Sequence, residues 1–106
     1  MEFVFEVDLH CGEYEAITVS NSPIGFSESK YNPTTGQSAN SNAKKIFCRV
    51  ENSPIRFTLD GTTPTDTIGM LLDIGETLEL RNLQQIKRFW AIKISNNASL
   101  KVFYFF

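Results

Sequence analysis

Ile55, Phe57 and Leu59 alternate with Arg56, Thr58 and Asp60. This period of two gives a strand one apolar face and one face toward water. Asp60-Gly61 follows at once, and both residues tolerate left-handed backbone angles; Pro64, just beyond, cannot donate to a ladder. Strand, turn and stop are written in one short stretch, which commits the chain to a β-fold. The same pattern recurs downstream. Ile46, Cys48 and Val50 alternate with Phe47 and Arg49, a short strand is expected at 70–73, and Leu78 and Leu80 face inward within 76–81. Residues 86–95 read as a strand with Ile86, Trp90, Ile92 and Ile94 in phase, and the misplaced Phe89 predicts a β-bulge near Arg88. Asn96-Asn97 reads as a hairpin turn into a last strand, where Leu100, Val102, Tyr104 and Phe106 share a face opposite Phe103 and Phe105.

The front of the chain gives a strand over residues 2–10, through Phe3, Phe5, Val7 and Leu9, then a turn at Gly12 and a strand over 14–20. No stretch carries a 3.6-residue apolar period of helical length. The spacing of Leu80, Leu83, Gln84 and Lys87 imitates one, but the β-rich continuation argues against a helix. Short strands separated by turn residues predict an all-β chain: an antiparallel β-sandwich or jelly-roll-like single domain over 1–106. Residues 1–10 form a docking arm or edge strand, and 27–43 form a long polar loop of the kind that is usually functional. Val19–Phe26 and Val50–Phe57 agree at six of eight positions; the simplest account is two Asn-Ser-Pro turns that each feed a strand.

Length and charge exclude several classes of function. A chain of 106 residues can bury roughly two-thirds of its unfolded surface, enough for one core without staples. Its 12 acidic and 10 basic residues give a net charge of −2 and are scattered, so the linear sequence contains no basic stripe and predicts no nucleic-acid partner. No apolar run reaches the ~18 residues that span a bilayer, and residues 1–8 alternate charge with apolar side chains instead of spelling a leader. The expectation is a protein made in a cytoplasm, with no membrane partner, in which Cys11 and Cys48 are free thiols.

Few side chains offer catalysis. His10 is the only histidine, and on a strand its neighbour Cys11 points to the other face, so a Cys–His pair would need Cys48 to approach it in space. Glu13, Glu15, Asp73 and Glu76 read as solvated edge charges. Asp60, Thr62, Thr63 and Asp66 supply oxygens without an EF-hand pattern. The expectation is no enzyme activity, no catalytic residue, no metal and no cofactor. Aromatic side chains remain, since nine Phe and three Tyr are many for this length; Tyr31, Phe47, Trp90, Phe103 and Phe105 are the candidates for a sugar-stacking platform or a subunit interface. A last strand apolar on both faces argues for a partner over the second face, and the expected interface residues are Phe3, Phe5, Tyr31, Trp90, Phe103 and Phe105.

Val50–Phe57, Thr58-Leu-Asp-Gly-Thr-Thr-Pro-Thr65, Gly69, Gly75, Leu78–Leu80, Ile86, Phe89, Ala91-Ile92 and Leu100-Lys-Val-Phe-Tyr104 together resemble a family of small phage proteins encoded among head and tail genes. The resemblance spans about residues 23–106. It implies a virion component, most simply a capsid decoration or head-associated β-sandwich that binds the major capsid or another virion protein and self-associates, with a closed trimer favoured. Residues 55–65 are also similar to the strand–turn signature of the small immunoglobulin-like domain of chitobiase-type glycosidases. That similarity keeps open a carbohydrate- or receptor-binding accessory module, with Trp90 and Tyr31 stacking on a glycan.

Overall fold

The computed structural model describes residues 9–106; the fold is all-β, and the described residues form two antiparallel sheets and two short helices. Its strands are β1 (Cys11–Val19), β2 (Lys45–Glu51), β3 (Ile55–Thr58), β4 (Met70–Leu72), β5 (Thr77–Leu80), β6 (Trp90–Lys93) and β7 (Ala98–Phe105). The larger sheet has the order β1-β7-β2-β5, and the smaller has β4-β3-β6. Helix α1 is one turn, Glu28–Tyr31, and α2 spans Leu83–Arg88.

Period-2 patterning turns directly into the core. From the larger sheet Ile17, Val19, Ile46, Cys48, Val50, Leu80, Leu100, Val102 and Tyr104 are buried, and from the smaller sheet Ile55, Phe57, Leu72 and Ala91. Between them lies an aromatic cluster. Phe89 stacks on Phe26 at 4.3 Å between ring centroids and on Phe57 at 5.8 Å, while Tyr104 meets Phe26 edge-on at 6.0 Å. Offset stacking and edge contacts are the arrangements a ring quadrupole favours.

Phe26 and Phe57 are the last residues of the two matching eight-residue segments. Both segments leave the larger sheet, at β1 and at β2, and cross to β6: Ile24 and Phe57 each pair with Ala91. The repeated Asn-Ser-Pro words are therefore equivalent crossings that each deliver a Phe to Phe89. A turn feeding a strand describes the second; the first makes only an isolated bridge.

Several expectations need correction. Residues 83–88 are helical, so the strand expected over 86–95 begins at Trp90. The Asn82 carboxamide accepts from the amides of Gln84 and Gln85, which caps the helix, and Ile86 packs inward. Phe89 needs no bulge to reach the core, because it sits at the C-cap, between helix and strand. Asn96-Asn97 closes no hairpin, since β6 and β7 lie in different sheets. Gly12 is inside β1 at a register shift rather than in a turn, and a Cβ there would stand 2.2 Å from the Ser38 hydroxyl. Its lack of a side chain lets the 27–43 segment pack onto β1. The strand expected over 2–10, with Phe3 and Phe5, lies almost wholly outside the described residues.

Candidate functional site

The larger sheet turns one face to the core and the other to solvent. Register places Tyr14, Phe103, Phe47 and Glu79 in one row across all four strands of that outer face. Tyr14, Phe103 and Phe47 are 38–50% exposed, and the Tyr14 and Phe103 rings lie 5.6 Å apart with a 54° tilt. The next row holds Ala16, Lys101, Arg49 and Thr77, and the row on the other side brings Phe105 opposite Lys45. The Lys45 ammonium sits 4.7 Å from the centre of the Phe105 ring and 3.6 Å from Glu79. Glu79 also accepts from Arg81, and that bond above all holds its carboxyl below the usual range.

A second surface lies on the smaller sheet, where β4 is an edge strand. Ile68, Met70, Leu71 and Ile74 are 49–67% exposed there, and an open groove lined by Phe57, Leu59, Ile68 and Met70 adjoins them. The loop before β4 is pinned from beneath, as Arg56 donates to the Asp66 and Gly69 carbonyls at 3.3 Å each. At its start Thr58 Oγ1 donates to the Thr62 carbonyl at 2.6 Å, and the Thr62 amide donates to Asp60 Oδ1 at 3.0 Å. That amide lowers the Asp60 pKa. Gly69 has φ +119, and a Cβ there would meet the Phe57 carbonyl oxygen at 2.9 Å. The strand thus starts from a backbone that only glycine accommodates, and Met70, on the same sheet face as its partner Phe57, is left exposed at the edge.

The expected site residues separate. Phe103 stands at the middle of the exposed row and Phe105 in the flanking row beneath Lys45. Trp90 is half-exposed on β6, opposite Thr58, on the smaller sheet. Tyr31, at the end of α1, is partly buried and packs against the core, and burial, followed by the Glu28 charge, raises its pKa. The polar segment 27–43 is folded: Ala43 N–H donates to the Tyr31 carbonyl at 2.7 Å, Asn40 N–H to Pro33 at 2.7 Å, and buried Ser38 hydrogen-bonds His10 Nε2 at 3.1 Å.

The groups weighed for chemistry are placed in packing. Cys48 is fully buried beside Val102 and Leu78, and desolvation pushes its pKa up to about 12, so its thiol stays protonated near neutrality and is a poor nucleophile. Cys11 is exposed, and both thiols are free. Glu15 is no edge charge. It faces inward, accepts the Tyr104 hydroxyl at 2.6 Å, and accepts the Ser27 hydroxyl and amide, joining β1, β7 and the start of α1. Burial first, and the Glu15 carboxylate second, raise the Tyr104 pKa well above the ordinary phenol range.

Sequence reasoning found Phe103 and Phe47 as candidate aromatics but missed Tyr14, which it read as a strand residue only. The signal was present, because Tyr14 occupies an out-of-core position in its own strand. What was missing was register, which alone brings residues 14, 47 and 103 into a row. Comparison with protein-family models, curated proteins and solved structures finds no match for this chain. No helix among the described residues is long and apolar enough to cross a membrane.

Proposed function

We propose that the protein is a non-catalytic phage virion component, a capsid decoration or head-associated β-sandwich that works by surface contact with copies of itself and with a capsid protein. The observation that carries this reading is the β4 edge. Met70 and Leu71 of this edge strand, with Ile68 just before it and Ile74 just after, are four large apolar side chains about half exposed or more, and apolar surface at a sheet edge invites association. The likeness of residues 23–106 to small phage head and tail proteins supplies the setting. Apolar burial at the β4 contact supplies affinity at roughly 25 cal/mol per Å² before association costs are subtracted.

The reading is tested by quantitative mass spectrometry of gradient-purified particles from the phage that encodes the protein. A fixed copy number per particle is expected. Recovery of the protein only in the soluble lysate, with none on particles, contradicts it.

A further inference from the structure

We infer that the outer face of the larger sheet is a stacking platform for single-stranded nucleic acid, with bases on Tyr14, Phe103 and Phe47 and phosphates met by Arg49 and Lys101. Three observations carry this assignment. The first is the row itself: three aromatic side chains on three adjacent strands, each about half exposed, on a sheet whose other face supplies the core. A four-stranded sheet with central aromatics is the surface on which some RNA-binding modules stack two or three bases.

The second is the adjoining pair of cations. Arg49 stands directly opposite Lys101 across the two central strands, where like charges repel. Among the described residues neither forms an ion pair. Each lies two residues along its strand from Phe47 or Phe103, a step of about 6.7 Å, so a base on the ring and its phosphate on the cation fit one nucleotide. Carboxylates border this path without entering the cation row. Glu79 ends the aromatic row and is held by Lys45 and Arg81, while Glu51 stands one row beyond the cations, opposite Ser99. A polyanion crossing from Tyr14 to Phe47 meets positive charge first.

The third is what the surroundings lack. Ala16 and Thr77 complete the cation row, and no amide side chain lies in that row or in the aromatic one. Stacking faces with cations and few directional hydrogen-bond groups suit sequence-tolerant strand binding, where every base offers a π-face. A neutral glycan would want acceptors for its hydroxyls beside the rings. This face is separate from the β4 edge, so the inference does not depend on self-association.

The test is fluorescence anisotropy of the full chain with a labelled twelve-residue oligothymidylate at low salt. Saturable binding is expected, with the logarithm of the association constant falling by about 1.4 per tenfold salt for two phosphates neutralised on a single strand. Phe103→Ala and the double variant Arg49→Gln/Lys101→Gln are each expected to weaken binding at least tenfold with thermal unfolding unchanged, and Phe103→Trp to preserve it. Leu71→Asp, on the other surface, is expected to leave it unaltered. Absence of oligonucleotide binding overturns the inference. So does binding indifferent to Phe103→Ala and to the charge variant, or capture of an acidic polysaccharide in place of the oligonucleotide.

Discussion

Phe89 touches both Phe26 and Phe57 in stacked geometry and is almost wholly buried, so it joins the two crossings to the strand they flank. Phe89→Ala is expected to cost about 3–5 kcal/mol, because lost transfer energy and a cavity add. Phe103→Ala, on the exposed face, should stay within about 0.5 kcal/mol; equilibrium urea unfolding of both variants measures the contrast. The cysteines divide in the same way. Cys11 should react with a thiol reagent at once, and Cys48 only as the protein unfolds. The Cys48 pKa is raised from 9.0 to about 12 in the folded chain, so the folded state holds a proton the unfolded state has released. Its stabilising effect is complete below pH 9 and declines as pH rises from there toward 12. Unfolding curves across that window check the sign, and a Cys48→Ala variant should flatten the slope. At this scale the sequence was informative where a residue's own strand settled its face, as for Cys48, Leu100 and Phe103. It misread Glu15 as an edge charge, because the inward position is fixed by Tyr104 and Ser27, both distant in sequence.

Among the elements, the strands were legible because alternation survives any pairing, whereas connections were not. The hairpin reading of Asn96-Asn97 failed because turn residues report a reversal of the chain but not which sheet receives the next strand. The α2 segment was misread for a related reason: six residues are too few for a convincing helical period, and its real signal was the Asn82 cap. The β4 edge shows a different dependence. Gly69 combines a positive φ with a backbone contact a Cβ would violate, and Arg56 fastens the same loop from the sheet. Gly69→Ala is expected to destabilise by about 1–3 kcal/mol, measured by denaturant unfolding. A variant as stable as the parent would show that the loop has another conformation of equal energy.

Across the whole molecule, the two sheets differ in what they present to solvent. The larger carries an aromatic row with cations beside it, and the smaller an apolar edge. Counted along the chain, 10 basic residues against 12 acidic ones look dispersed, and dispersal argued against a polyanion. Folding brings Arg49 opposite Lys101, a pair that register creates and that no count along the chain reveals. The fold class, by contrast, required no register. The apolar edge supports the central claim, that this β-sandwich functions by associating with copies of itself and with a capsid. Light scattering of the purified protein over a concentration series, alongside a Met70→Asp/Leu71→Asp variant, tests that claim most directly. The account predicts a closed oligomer, a trimer favoured, that falls to the 12.0 kDa monomer in the variant without loss of fold. A wild-type monomer at every concentration, or an oligomer that the variant leaves intact, would contradict it.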